Sequence, residues 1–344
     1  MSLVTEKALV SLILVNYNGS LFIKKCLESI KNQVFNNIEL IIVDNASIDD
    51  SLSKIDQIIE DYILIKNKKN IGTSKAYNIG AERAKGKYLF FLNIDIKLDR
   101  NCVSELVNIC EEYGKIGVCA CKELSYEGDE FHHCGAGMDV FGYHYPGKLG
   151  KIFFTPSSAF FTRKDLFFYI NGFDDSYFMY KDDLDYCWRT HLVSYKVKQV
   201  PSAIIYHKAG GVSKGKKGRI LSPRKQKGQK YVLSVRRRYL GERNNLINLI
   251  KNYKLITLMW VLPINIVINI FEVIFFLFLG KFKIVYHAYI KAYLYILKNL
   301  RIILLKRRDI QKKRKVPDRE VLSKMEKKIG KLHALFETGI PKVE

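Results

Sequence analysis

A chain of 344 residues with 48% hydrophobic and 26% charged content has material for one large α/β domain with an appendage or for two ordinary domains, which excludes a disordered polymer. Its formal net charge of +23 is unevenly divided: residues 1–207 hold 24 Lys and Arg against 26 Asp and Glu, whereas residues 208–344 hold 33 against 8. A neutral front and a basic back imply different surroundings, with the back facing something anionic, either nucleic acid or a lipid surface.

The opening "MSLVTEK" lacks the charged, apolar, small-residue order of a signal peptide and leads straight into a strand pattern, so the front is expected in the cytosol. "LVSLILV" (9–15) and "ELIIV" (39–43) are short β-branched runs ending in the polar loops "NYNG" and "DNASIDDS", and both read as buried parallel strands. Between them "SLFIKKCLESIKNQ" places Leu21, Phe22, Lys25, Cys26, Ser29 and Ile30 at near-helical intervals, which makes a βαβ unit. The alternation continues with "SLSKIDQIIEDY" as helix, "ILIKN" as strand, "GTSKAYNIGAERAKG" as helix and "YLFFLNID" as strand. Such a doubly wound sheet binds ligands at the carboxyl ends of its strands.

Further on, "LDRNCVSELVNICEEYG" reads as helix and "KIGVCACKEL" as strand, while residues 123–151, rich in glycine and aromatics, read as irregular or substrate-shaping loops. "SSAFFTRKDLFFYIN" turns from strand to helix, and "YKVKQVPSAIIYHKAGG" supplies the last strands. The seven cysteines are odd in number, have no CxxC spacing and mostly sit in apolar runs, so they are expected reduced and buried in a cytosolic protein. Cys119 and Cys121 alternate on one strand face, with a metal pair as the lesser reading.

At Lys208 the character changes to "KAGGVSKGKKGRILSPRKQKGQK", glycine-rich and basic, which fits a flexible loop. Residues 255–279, "LITLMWVLPINIVINIFEVIFFLFL", carry one charge, Glu272, and are long enough to span a bilayer. A second apolar helix, 284–305, sets His287, Lys291, Lys298, Arg301 and Leu305 along one stripe, an interfacial pattern, before the basic run "KRRDIQKKRK". Both flanks of the first segment are basic, which a single crossing cannot reconcile with the positive-inside rule; a bend near Pro263 or helices lying in the interface would. Core helices of a soluble domain are the other reading. The expected organisation is 1–207 as a nucleotide-sugar-binding and catalytic domain, 208–250 as a basic loop and connecting helix, 251–310 as membrane-associated helices, and 311–344 as a basic tail.

Three acidic or polar groups close predicted strands or loops of the front: Asp44, then Asn93 and Asp95, then Asp182, Asp183 and Asp185 in "YKDDLDYCWR". Strand ends on one edge converge, and a carboxylate cluster in a cleft suits a divalent cation that also binds substrate phosphates. "VSLILVNYNG", "IELIIVDNASIDDS", "NIGTSKAYNIGAERAKGKYLFFLNID" and "INGFDDSYFMYKDDLDYCWR" together resemble the inverting GT-A glycosyltransferases of family 2, especially the rhamnosyltransferase-like branch. The resemblance runs in order from Val10 to Arg243.

That resemblance implies a GT-A fold, a Rossmann-like and mainly parallel sheet with helices on both faces, followed by C-terminal membrane-associated helices. It places Asn16, Tyr17 and Asp44 at the nucleotide base and Lys75 at the base or diphosphate. Asn93 stands where the family has the first aspartate of its DxD motif, leaving Asp95 as metal ligand, joined by His207, for Mg²⁺ or Mn²⁺. Asp183 falls at the general base, Asp182 replaces the usual glutamate, and Asp182 and Asp185 orient the loop or meet the acceptor, with Trp188 and Arg189 beginning the helix behind. Arg243 is placed on the diphosphate. The bland readings are a core aromatic for Tyr17, a surface lysine for Lys75, a strand-ending turn for Asn93 and a backbone-bonded histidine for His207.

The expected donor is a UDP- or dTDP-linked sugar and the acceptor a lipid-linked or polysaccharide chain, met at the anionic cytoplasmic face of the cell membrane, with no nucleic acid. A basic nucleic-acid protein is the alternative from charge, but no helix-turn-helix, RNP or zinc spacing accompanies it. A nucleotide-sugar nucleotidyltransferase is another, and its glycine-rich phosphate loop has one glycine in "NYNGSLF".

Overall fold

The computed structural model describes residues 9–147, 150–208, 232–327, 329–331 and 342–343. The opening heptapeptide and most of the glycine-rich basic loop after Lys208 lie outside them.

The predicted alternation is present. β1 (Val10–Asn16), α1 (Ile23–Lys31), β2 (Ile38–Asp44), α2 (Ser51–Asp56), β3 (Ile63–Lys66), α3 (Thr73–Arg83) and β4 (Tyr88–Asn93) follow in order. Next come β5 (Ile96–Leu98), α4 (Cys102–Glu112), β6 (Ile116–Ser125), β7 (Phe131–His133), β8 (Ala136–Met138), β9 (His144–Pro146), β10 (Ala159–Arg163), α5 (Lys164–Tyr169), α6 (Asp182–Leu192) and β11 (Lys196–His207). α2 is shorter than its sequence suggests, and the 123–151 stretch holds three short strands in place of a loop.

A sheet of nine strands runs β3-β2-β1-β4-β10-β6-β11-β5, with β7 on β6. β1 to β4 pair in parallel, as do β6 and β11, while β10 runs against both β4 and β6. The sheet is therefore mainly parallel, with antiparallel β10 joining its two halves. Residue alternation along each strand covers both faces. Ile13, Val15, Ile41 and Val43 pack with Ala76, Tyr77, Leu184 and Trp188 on one face, and Leu12, Leu14, Leu40 and Ile42 pack with Ile23, Leu27, Val103 and Leu106 on the other. All seven cysteines are free and buried, Cys119 and Cys121 on the same core face.

The C-terminal part is helical: α7 (Val235–Asn252), α8 (Leu255–Phe278), α9 (Phe282–Ile284), a π-helical turn at Val285–Ile290, α10 (Lys291–Lys298), α11 (Leu300–Lys313) and α12 (Asp318–Leu322). α7, expected as a connector, is buried over most of its length against the loop that leads into α6.

Candidate active site

The parallel register sets the floor of the cleft. Asn16 pairs with Asp44 across β1 and β2, and Val15 with Asn93 across β1 and β4, so three strand ends finish side by side. Asn16 Nδ2 donates to Asp44 Oδ1 at 2.9 Å, Ser47 Oγ at 3.0 Å and Ser51 Oγ at 2.8 Å, and the Ser47 amide donates to Asp44 Oδ2 at 3.1 Å. Tyr17, the next residue, is 40% exposed, so its ring is no part of the core.

The acidic run forms the first turn of α6, so the helix begins at Asp182 and not at Trp188 as the sequence suggested. The chain reaches it through Phe178, Tyr180 and Lys181, non-glycine residues with φ of 65°, 68° and 62°. Such conformations are costly and persist where surrounding contacts impose them. Those contacts are visible. Thr73 N donates to Phe178 O at 2.8 Å, and a Cβ at Gly72, itself at φ +86°, would meet Phe178 O at 2.5 Å. From α7, Asn244 Nδ2 donates to the carbonyls of Met179 and Tyr180 at 3.1 and 2.8 Å, and Asn248 Nδ2 to that of Lys181 at 3.3 Å.

The three carboxylates then differ in surroundings. Asp185 is fully buried among Arg189 (2.8 Å), Lys251 (3.1 Å) and Asn252 (3.1 Å); burial opposes its charge, but Arg189 and Lys251 prevail and hold it below the usual carboxylate range. Asp182 is buried and accepts from Ser74 Oγ at 2.9 Å, and burial moves its pKa upward. Asp183 alone is partly exposed, taking the Ser157 amide at 3.0 Å on Oδ2 and the Leu184 amide on Oδ1 at 2.7 Å. Desolvation and then the neighbouring Asp182 push its pKa up to about 7, where a carboxylate can accept a proton near neutrality.

Asp95 and His207 come together on the far side. β11 ends beside β5, and His207 Nε2 lies 3.4 Å from Asp95 Oδ1 while its Nδ1 lies 3.1 Å from Glu123 Oε1. Glu123 also meets His132 Nδ1 at 3.2 Å, His133 Nε2 at 3.4 Å and Ser158 Oγ at 3.1 Å. Burial would raise Glu123, but the bonds from His132 and His207 hold it well below the carboxylate range; burial would lower His207, and Asp95 and Glu123 raise it to about 10. Among the described residues no three His, Cys, Asp or Glu side chains make a metal cage. Asp95 and His207 nonetheless fit a cation that takes its remaining ligands from diphosphate and water, provided it displaces the proton that Asp95 and Glu123 hold on His207. Glu123 occupies the position of the carboxylate that commonly steadies a ligating histidine through its other nitrogen.

Ser157 and Ser158 connect these parts. Ser157 holds Asp183, Ser158 holds Glu123, the Asn93 amide donates to Ser158 O at 2.9 Å, and Tyr77 OH donates to Asn93 Oδ1 at 3.0 Å. Sequence reasoning missed Ser157, Ser158, Tyr77 and Glu123. Of these, only Glu123 carried a signal, as the one carboxylate of β6, following its apolar run. Lys75 is exposed on α3 beside Ser74. Arg243 requires a correction. It is buried, with Nη2 on the carbonyls of Ser176 and Tyr177 at 2.9 Å each and its plane against Tyr295, so it braces the turn before the acidic loop and is not free to clamp a diphosphate.

Residues 11–172 match the family model described as Glycosyl transferase family 2. That stretch, just under half of the chain, is similar to the family 2 glycosyltransferases. Among curated relatives, EpsH of Bacillus subtilis is 30% identical over 140 residues, 39% of this chain and 38% of EpsH. The minor teichoic acid biosynthesis protein GgaB of the same organism is 32% identical over 133 residues, 36% of this chain and 14% of GgaB. The UDP-Glc:alpha-D-GlcNAc-diphosphoundecaprenol beta-1,3-glucosyltransferase WfaP of Escherichia coli is 40% identical over 88 residues, 25% of this chain and 35% of WfaP. The chain therefore spans well under half the length of each. Two solved structures share the fold: GalNAc-T7 with UDP, GalNAc and Mn²⁺, with a TM-score of 0.52 at 16% identity over 58% of this chain and 43% of that one, and S. aureus TarS 1–349 with UDP, with 0.51 at 15% identity over 71% and 66%. The family match disfavours the nucleic-acid and nucleotidyltransferase alternatives.

Proposed function

We propose that this protein transfers a sugar from a nucleoside diphosphate donor, UDP- or dTDP-linked, to a lipid-linked or polysaccharide acceptor at the cytoplasmic face of the membrane, with inversion at the anomeric carbon. The observation that carries this reading is Asp183. It is the partly exposed carboxylate of the acidic run, fixed by two backbone amides and raised to about 7.

In the reaction the acceptor hydroxyl gives its proton to Asp183 as its oxygen bonds to the anomeric carbon. The bond from that carbon to the diphosphate oxygen breaks, and the nucleoside diphosphate leaves with the electron pair. One displacement of this kind needs a base and a stabilised leaving group. Tyr17 and Asp44 hold the nucleotide base, Tyr17 offering an exposed ring and Asp44 an acceptor for an imide N–H. Asn16, fully buried, fixes Asp44 from beneath and does not touch the base itself. Lys75 reaches base or diphosphate and Asn93 the ribose. Asp95 and His207 would hold Mg²⁺ or Mn²⁺, which supplies charge neutralisation at the departing diphosphate. Asp182 and Asp185 orient the loop.

The acceptor class is supported by relatives whose printed names refer to a diphosphoundecaprenol-linked sugar and to teichoic acid, and by the exposed apolar C-terminal helices. The test is a melting series with UDP and dTDP in the presence of Mg²⁺ or Mn²⁺, followed by turnover of a nucleotide-sugar panel on a membrane lipid extract. A rise in Tm with one nucleotide, and turnover of its sugar, is expected. No shift with any nucleoside diphosphate would remove the reading.

A further inference from the structure

α8 is long and apolar enough to cross a bilayer. Its two faces differ. Ile256, Trp260, Ile264, Phe271, Ile274 and Phe278 recur at helical spacing and are exposed. On the opposite side lie Thr257, Asn265, Asn269 and Glu272, and the first three are buried against the rest of the protein.

Those polar groups are bonded to the body of the protein. Asn265 Nδ2 donates to Tyr143 OH at 3.1 Å, Tyr143 OH to Asn269 Oδ1 at 3.3 Å, and Asn269 Nδ2 to Tyr293 OH at 3.0 Å. Lys331 Nζ reaches Glu272 at 2.6 Å and Glu242 of α7 at 3.0 Å, and Arg238 of α7 pairs with Glu272. All of this falls at mid-helix, the part that would occupy the hydrocarbon centre if α8 crossed. There a carboxylate and two carboxamides stripped of partners are strongly disfavoured.

A second exposed stripe continues through Phe282, Tyr286, Ile290, Leu294 and Leu297, while Ala288, Tyr289, Ala292 and Ile296 on the other side are buried. Exposed Lys281, Lys283, Lys291, Lys298, Arg301 and Arg308 accompany it, and no carboxylate occurs between Glu272 and Asp309. An apolar stripe flanked by unopposed cations matches an anionic lipid surface.

We propose that α8 and the helices from α9 to α11 lie in the plane of the membrane, seated in the anionic cytoplasmic leaflet by their apolar stripes, and that α8 does not cross. This rests on the membrane-face reading above and adds geometry to it. Both basic ends of α8 then stay on the cytoplasmic side, which removes the conflict with the positive-inside rule.

The experiment uses the full chain. Lys254→Cys and Lys281→Cys, each made singly, put an exposed thiol at either end of α8, and because all seven native cysteines are buried a membrane-impermeant maleimide reads only the new one. In sealed vesicles with the cytoplasmic face outward, both should label at rates within about twofold of each other, and neither in the opposite orientation. Labelling of the two from opposite sides would overturn the in-plane geometry while leaving membrane attachment intact. In flotation, phosphatidylglycerol vesicles should retain the protein at least about tenfold better than phosphatidylcholine vesicles, and Phe271→Asp should lower that retention by about tenfold or more. Failure to float with either vesicle would overturn the membrane reading itself.

Discussion

α7 carries Glu242, Arg243, Asn244, Asn245, Asn248, Lys251 and Asn252, and all are buried; α8 follows two residues later with an almost uncharged sequence, and Phe271 on it is 69% exposed. Polarity and burial are thus exchanged between neighbouring helices. The exchange has a physical reason. A loop with positive φ at three non-glycine residues presents carbonyls that no regular ladder satisfies, and the carboxamides of α7 are the donors that meet them. Lys251 adds a buried cation shared by Asp174 (2.5 Å) and Asp185 (3.1 Å). α7 is therefore part of the site it follows in sequence, while α8 uses its few polar groups to seat itself and leaves its apolar surface outward.

The largest effect expected at the place α7 braces is on chemistry. Asp183→Asn should lower turnover by about 10² to 10⁴ fold while the nucleotide-induced Tm shift and vesicle binding persist. Retained turnover would move the base elsewhere. Next in size, Glu123→Gln should weaken Mn²⁺ binding, followed by electron spin resonance of the free ion, by about 10 to 100 fold, with flotation unchanged; it marks a part of the site that α7 does not touch. Asn244→Ala leaves the carbonyls of Met179 and Tyr180 without that donor and should cost about 1–3 kcal/mol in chemical denaturation, with a fall in turnover at unchanged Mn²⁺ affinity. If turnover holds, α7 supports the fold but not the site.

The contrast also accounts for what the sequence disclosed. β1, β2 and β4 end in Asn16, Asp44 and Asn93, and a near-continuous apolar run that stops at a polar residue marks both the buried strand and its end, so the cleft floor could be read directly. The 123–151 strands could not, because they are three residues each and pair in short hairpins with their sequence neighbours, too short to show a period. Ser157 and Ser158 act through a backbone amide and one hydroxyl, functions that leave no mark on residue type. Arg243 was misplaced for a related reason: an arginine near an acidic loop looks like an anion clamp until its carbonyl partners are seen. The start of α6 was placed too late because Lys181, at φ 62°, supplies no capping side chain, although three aspartates in a first turn are themselves a helix-start signal.

Acidity gives a smaller test of the same bracing. Asp183 must be ionised to accept a proton, and with its pKa raised to about 7 the turnover should climb with pH through that value and level off above it. Burial comes first among the causes and the Asp182 charge second, so Asp182→Asn should move the rise toward lower pH by removing the like charge. An unmoved profile would leave burial as the whole cause.

The smallest effect separates the two helices most sharply, because it uses adjacent residues of α8. Ile264 is 42% exposed and Asn265 fully buried with its amide on Tyr143 OH. By hydropathy alone, replacing the isoleucine with a polar residue should hurt and replacing the asparagine with an apolar one should help. The structure reverses both. In detergent, Asn265→Leu should destabilise by about 1–3 kcal/mol, since Tyr143 OH loses a buried donor. Ile264→Ser should stay within about 0.5 kcal/mol, its cost appearing only in vesicle retention. Equal losses in detergent would mean that Ile264 packs on protein, and the outward apolar face of α8 would then no longer distinguish it from α7.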